Sequence, residues 1–321
     1  MPIFLQKNKL FNFLTYCNIR ILFALIITFS LFGCTQSKTT QENLTTAFNP
    51  IDPTMKYKVL SERSLFADGY MKGIDTYQLI KNFAGPKSIE APDLYSNNHP
   101  GKPHIVEATD DVVGDHFVFS IHKAYDKDRD VSSIKDRQRN EIKAYAKSSN
   151  ELKAYKNEIL SYNWKFKLNK GISVSKNFTH FFQLKAVDGG VGTPILTLSG
   201  RNKNGEWLEV IHTIHGKKTL LKKVPLQALK GRWLQVSCVV HYRNNGQLQL
   251  LITDLANEPI IELSLNNIDM LRGENRGDFV RPKWGIYRSL RSKEMLRDAE
   301  EKVFFADFSV QKFAIKSISS P

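Results

Sequence analysis

The sequence predicts an all-β chain folded as an antiparallel sandwich of the jelly-roll type, with minor helix. Three observations predict it. Short runs of alternating apolar and polar residues recur along 57–315. Turn residues separate those runs, and neither a linker nor an internal repeat interrupts them. Alternation with a period of two marks strands with one buried face. Strands at this spacing pack as two antiparallel sheets. The 321 residues suffice for one large β domain or two small ones. Three Cys are too few for a disulfide scaffold or a multi-cysteine zinc array.

The expected strands are 116–121, 164–168, 178–186, 194–199, 207–214, 233–242, 247–254, 260–265, 283–289 and 303–313. Lys203-Asn-Gly205 and Asn244-Asn-Gly246 fall between alternating runs, which is a hairpin signal. Asp188-Gly-Gly190 is a further turn. Short helices are expected only at 150–160 and 292–301. Cys238 lies in an apolar run and reads as a buried structural thiol.

The N-terminus sets the compartment. Lys7, Lys9 and Arg20 precede an apolar run, 21–32, of signal-peptide length and short for a membrane span. It ends Leu31-Phe32-Gly33-Cys34, which resembles a bacterial lipobox. The resemblance implies cleavage after residue 33, lipidation of Cys34 and anchoring to the outer membrane, facing the periplasm or the cell surface. An uncleaved anchor is the alternative. Residues 34–56 then form a polar tether, 57–315 the domain and 316–321 a tail. The chain carries 46 Lys+Arg against 32 Asp+Glu, formally +14. Three of the basic residues lie in the leader, so most of the excess sits in the domain. Outside the cytoplasm nucleic acid is not the expected partner, and an acidic polymer is. A monomer is expected.

Alternate side chains of a strand point to opposite faces. In 137–143, Arg137, Arg139, Glu141 and Lys143 share a face. In 178–186, Gln183 and Lys185 share one, away from Phe182 and Leu184, and His180 falls on the apolar side. In 283–289, Lys283 and Tyr287 oppose Trp284 and Ile286. Three strands therefore each offer a polar or cationic stripe. Such a stripe is ordinarily a solvated face, and on one sheet the three would line a groove.

These segments resemble the signature strands of jelly-roll polysaccharide lyases, a concanavalin A-like group that includes alginate, glucuronan, heparin I and ulvan lyases. Arg139-Asn-Glu-Ile142 stands for Arg-x-Glu-Leu, and Gln183-Leu-Lys185 for Gln-Ile-His. Arg281-Pro-Lys-Trp-Gly-Ile-Tyr287 stands for Tyr-Phe-Lys-Ala-Gly-x-Tyr. Order and parity agree across most of the domain. The departure is Lys185 in place of His, which puts alginate in doubt and leans toward the glucuronan or ulvan branch.

The resemblance implies β-elimination on a 4-linked uronic acid. Its carboxylate must be neutralised before the C5 proton becomes acidic. Arg139 and Gln183 suit that task, with Lys283 and Arg137 adding charge. Tyr287 is the candidate acid, and a candidate for both acid and base, with nearby cations expected to lower its pKa. Lys185 is either the base or a further neutraliser. Glu141 is expected to orient Arg139 or Lys283. No cofactor is expected to be required. Asp126-Lys-Asp-Arg-Asp130 resembles the start of a Ca²⁺ loop but lacks its Gly and distal Glu, so a solvated turn is the simpler reading and a structural Ca²⁺ the other. His122 sits at a strand end within reach of the groove. His212, His215 and His241 show no metal-ligand spacing, and zinc is not expected. A glycoside hydrolase would need paired carboxylates, and the closely spaced acidic motif of laminarinase-like sandwiches is absent. A non-catalytic carbohydrate-binding lipoprotein remains the rival reading.

Overall fold

The computed structural model describes residues 56–316 apart from 131, 132, 189, 191 and 274. The leader, Cys34 and its tether lie outside the described residues, as does the tail from 317. Two antiparallel sheets form a sandwich. The first contains β1 (Lys56–Leu65), β3 (Ile105–Asp110), β4 (Gly114–Ile121), β6 (Ile159–Leu168), β11 (Trp233–His241), β12 (Gly246–Asp254), β13 (Pro259–Ile268) and β15 (Glu301–Lys316). Its order is β13-β12-β11-β6-β15-β4-β3, with β1 also paired to β15. The second contains β2 (Ile89–Glu90), β5 (Arg137–Lys143), β7 (Thr179–Val187), β8 (Leu196–Asn202), β9 (Glu206–Ile214), β10 (Lys217–Pro225) and β14 (Phe279–Ser289). Its order is β10-β9-β8-β7-β14-β5-β2. The three strands with polar stripes are thus neighbours, β7-β14-β5, in one sheet.

The opposite parity of those strands builds the core. Trp284 of β14 and Phe182 of β7 pack with Trp164 of β6 and Phe308 of β15. Ring centroids lie 4.4 Å apart for Trp164–Phe182 and 5.2 Å for Trp284–Phe308. Aromatic contact of this kind adds about 0.5–1.5 kcal/mol per pair beyond area burial. Cys238 is fully buried, as its apolar run predicts. The two Asn-Gly signals close the β8–β9 and β11–β12 hairpins, with Asn204 and Asn245 at positive φ.

Two expectations fail. The segments 150–160 and 292–301 hold only single 3₁₀ turns, Asn150–Leu152 and Lys293–Met295. The helices lie elsewhere, at α1 (Gly69–Lys72) and α2 (Thr76–Ala84). Asp75 caps α2 by accepting from Gln78 N at 2.8 Å, an N-cap signal present in the sequence. Strand β10 was also missed: its Lys217, Lys218, Lys222 and Lys223 make an exposed cationic edge, and a bulge between Leu220 and Lys222 breaks the alternation that would mark Leu221 and Val224 as core-facing.

A bulge reshapes the centre of the stripe. Trp284 pairs with Phe182 and Tyr287 with His180, so Gly285 and Ile286 oppose the single residue Phe181. Phe181 is skipped against β8 as well. Phe181 and Phe182 consequently both enter the core. This corrects the parity assigned to His180, which lies beside Tyr287 rather than on the apolar side. Gly285 makes the approach of β14 to β5 feasible. Its φ is 141°, and a Cβ there would sit 2.1 Å from the carbonyl oxygen of Asn140. Gly285→Ala is expected to destabilise the fold by about 1–3 kcal/mol in denaturant unfolding, because backbone, not a side chain, must give way; an unchanged unfolding midpoint would contradict this packing.

Candidate functional site

On the β7-β14-β5 face the register aligns Lys283 with both Lys143 and Gln183, Gly285 with Glu141, and Tyr287 with both Arg139 and His180. All the residues singled out by parity on these strands share this face. The floor is buried. Arg139 is 7% exposed, and Gln183, Lys283 and Glu141 are 2% or less.

Burial of these cations demands counter-charge, and the protein supplies it. Glu141 Oε2 accepts from Arg139 Nη1 and from Lys283 Nζ, each at 2.6 Å. Gln183 donates its amide N–H to the other oxygen of Glu141. Glu141 therefore orients Arg139 and Lys283 together, where the sequence offered one or the other. Glu90, on the two-residue strand β2, accepts from Lys283 at 2.9 Å, Lys143 at 2.6 Å and Arg139 at 3.2 Å. Asp128, in the β4–β5 loop, takes Arg139 in a bidentate grip, Nε at 2.8 Å and Nη2 at 3.2 Å. Burial alone would raise the Glu90 pKa, but Lys283, Arg139 and Lys143 outweigh it and hold the carboxyl well below its ordinary value. Sequence reasoning missed Glu90 and read Asp128 as part of a solvated turn, with a Ca²⁺ loop as the other reading, whereas it is buried against Arg139.

Arg139 and Gln183 are thus tied to protein carboxylates rather than turned outward to grip a substrate carboxylate. Less committed cations flank them. Lys185 has no hydrogen-bond or ion-pair partner among the described residues. Its cross-strand neighbour is Arg281, whose Nη1 donates to the carbonyl oxygen of Ala144 at 3.1 Å while its buried Nε finds no partner among them. Burial, then Lys283, Arg139 and Arg281, lower the Lys185 ammonium to about 8.

At the other end of the stripe, the Arg139 guanidinium carbon sits 3.7 Å over the Tyr287 ring. Arg137 Nη1 donates to the Tyr287 hydroxyl at 3.1 Å, which leaves the phenolic proton available. The expected lowering of the Tyr287 pKa is not found. Burial pushes it up, and the opposing effects of Arg139 and Arg137 do not compensate, so the group is a neutral phenol. Arg137 also lines a cavity of about 650 Å³ with Asp136, Leu290, Arg291 and Lys293.

His180 packs between Phe178, stacked at 4.7 Å, and Tyr287, at 6.0 Å between centroids. Its Nδ1 lies 2.7 Å from Ser199 Oγ, and Ser199 donates onward to Thr197. The Nδ1 atom therefore carries the proton, leaving Nε2 as an acceptor. Burial, then nearby Arg and Lys charges, hold this imidazole neutral.

His122 does not enter the stripe; it joins His99, His104 and Asp126 at the loop edge. The aspartates of 126–130 do not converge on one centre. Asp126 faces histidines, Asp128 faces arginines, and Asp130 accepts from the backbone N–H of Asn97.

Solved structures that share this sandwich fold include polysaccharide lyases. Alginate lyase Aly36B, in complex with an alginate trisaccharide, aligns with a TM-score of 0.50 and 8% identity over 79% of this chain and 99% of that one. The endo-β-1,4-glucuronan lyase of the fungus Trichoderma reesei aligns with a TM-score of 0.45 and 12% identity over 70% and 93%. Alginate lyase vAL-1 from Chlorella virus aligns with a TM-score of 0.45 and 12% identity over 79% and 100%. The likeness is one of fold. The chain matches no protein-family model and no curated protein sequence.

Glu90→Gln is expected to cost about 3–5 kcal/mol in urea unfolding, because it strips a buried carboxylate from three cations. The depressed Glu90 pKa gives stability that is present above the unfolded value of 4.5 and lost as pH falls below it. The gap between wild type and Glu90→Gln should therefore narrow in acid, and a constant gap would refute the assignment.

Proposed function

We propose that the chain is a polysaccharide lyase that cleaves a uronic-acid-containing anionic polysaccharide, glucuronan, ulvan or heparin-like, by β-elimination. The observation that carries this reading is a neutral phenol, Tyr287, on the same cationic stripe as an amine, Lys185, that titrates near 8. The shared fold with an alginate lyase supports it. The lipobox-like leader fits an anchored enzyme that meets such polymers outside the cytoplasm.

In this reading Arg281, beside Lys185, meets the substrate carboxylate, Arg137 holds the Tyr287 hydroxyl, and the Glu141-bound cations Arg139 and Lys283 set the positive field behind them. Lys185, as the free amine, takes the C5 proton. The C5–H electrons form the C4–C5 double bond and the C4–O4 bond breaks. Tyr287 delivers its proton to O4, giving a 4,5-unsaturated uronate end. The two groups occupy opposite ends of the stripe. The C5 proton and O4 lie on adjacent carbons of one sugar, so this reading requires the Lys185 and Tyr287 side chains to lean toward each other across Arg139, which stacks on Tyr287 and depresses Lys185.

A second reading has one specific support, the register that sets His180 rather than Lys185 opposite Tyr287. There His180 Nε2 is the base, and protonated Lys185 joins Arg281 in neutralising the carboxylate. The pH profile separates the two. With Lys185 as base, kcat/KM rises with pH through about 8 and holds until Tyr287 ionises above 10. With Lys185 as a binding cation, kcat/KM falls through the same range.

The overall test is ultraviolet absorbance of unsaturated uronates on glucuronan, ulvan, heparin and alginate. Tyr287→Phe is expected to lower the rate by about 10²–10⁴-fold with polymer binding retained. Binding with no unsaturated product from any polymer would leave a carbohydrate-binding protein. New reducing ends without unsaturation would indicate a hydrolase.

A further inference from the structure

Three histidines and one aspartate from two separate segments converge on one point outside the stripe. His99 and His104 belong to the loop before β3, and His122 and Asp126 follow β4. One ligand atom from each residue lies within 4.8 Å of all the others. His99 Nδ1 is 2.8 Å and His104 Nε2 3.1 Å from Asp126 Oδ1, and His122 Nδ1 is 3.4 Å from Asp126 Oδ2. Bonds of 2.0–2.1 Å to a tetrahedral zinc ion put ligand atoms about 3.3 Å apart, close to these separations.

The outer hydrogen bonds fix which nitrogen faces inward. His104 Nδ1 meets the carbonyl oxygen of Lys102 at 2.9 Å and Asp93 Oδ1 at 3.1 Å, so that nitrogen carries a proton and Nε2, 3.1 Å from Asp126, is the atom that would face a metal. His122 Nε2 meets Glu300 Oε1 at 3.2 Å, so it carries the proton and Nδ1 presents its lone pair. His122 Nδ1 is buried with no hydrogen-bond partner among the described residues. Inward nitrogens around a buried carboxylate need either protons shared with Asp126 or a cation among them, and a metal would displace those protons. Carbonyl and carboxylate partners on the outer nitrogens are how metal-bound imidazoles are oriented.

We infer that His99, His104, His122 and Asp126 form a structural Zn²⁺ site. Three imidazoles and one carboxylate suit zinc, whereas Ca²⁺ requires six to eight oxygens. The site closes the β4–β5 loop. Gln138 of β5 donates to the carbonyl oxygens of His122, Lys123 and Asp126, at 2.7, 3.1 and 2.9 Å, so the loop is clasped from inside as well. Two residues beyond Asp126, Asp128 grips Arg139. The metal therefore fixes the segment that aims Arg139 over Tyr287, at a distance from the reacting groups. None of the four ligands follows a familiar spacing, which is why the sequence did not disclose them.

The test uses full-length protein stripped with a chelator, then titrated with ZnCl₂ alone and, separately, CaCl₂ alone. About one zinc per chain by elemental analysis is expected, with a rise in Tm that chelation reverses. Co²⁺ in place of zinc should give the intense visible bands of a tetrahedral site. His104→Gln should lose zinc binding by at least 100-fold. Because His104 is buried, His122→Gln at the half-buried position is the folded control and should weaken binding by at least 10-fold. No stoichiometric zinc, calcium bound in its place, or equal zinc affinity in His122→Gln would overturn the site. These readouts need no substrate, so they stand or fall apart from the lyase reading.

Discussion

Placing Arg139 and Lys283 on a buried sheet face is the constraint around which this domain is arranged. An unpaired buried ammonium or guanidinium costs several kcal/mol, so the face is stable only if carboxylates reach it. Three do, from three places in the chain: Glu141 on the same strand as Arg139, Glu90 on a two-residue edge strand, and Asp128 on a loop. Each has a structural consequence. Glu90 explains why so short a strand is held at the sheet edge. Asp128 explains why the long β4–β5 loop folds back over β5. Gln138 and Asn140, on the inner face of β5, secure that loop and its neighbours through backbone carbonyls, Asn140 donating to His104 O and Ser120 O at 2.8 Å each. Polar groups on both faces of β5 hold the same loop.

Much of this was legible in the sequence because alternation is a local signal. The order of β5, β7 and β14, their adjacency and the sharing of a face by Arg139, Gln183, Lys283 and Tyr287 all follow from parity and from a resemblance in three short motifs. What stayed hidden was non-local. A bulge is written in no single strand: Phe181 reads as an outward residue until Gly285 and Ile286 are seen to oppose it. Glu90 carries no motif, since two residues give no period. The ligands of the His–Asp cluster follow one another at gaps of 5, 18 and 4 residues, and the two pairs meet only through the fold. The misplaced helices have another cause. The segments 150–160 and 292–301 contain good helix formers and cap-type residues, Ser149 and Ser292, but neither serine makes the capping hydrogen bond that Asp75 makes, and only a single 3₁₀ turn forms in each.

Electrostatics then decides what the stripe has left to offer. Counting cations overstates its attraction for an anion, since most of the charge on β5 and β14 is already answered. What faces outward is the residue of that balance: Lys185 beside Arg281, and, beside Tyr287, Arg137 in a half-exposed pair with Asp136 at 2.7 Å. The same burial that raises the Tyr287 pKa lowers that of Lys185, because desolvation disfavours phenolate and ammonium alike. One environment therefore yields a proton donor and a proton acceptor without needing opposite surroundings for the two. The internal carboxylates contribute by restraint: they fix Arg139 and Lys283 close enough to act on both groups, and neutralise enough of their charge to keep the site folded. A stripe with the same residues and no Glu90 or Glu141 would be more positive and less ordered, and the geometry that couples Arg139 to Tyr287 would be lost.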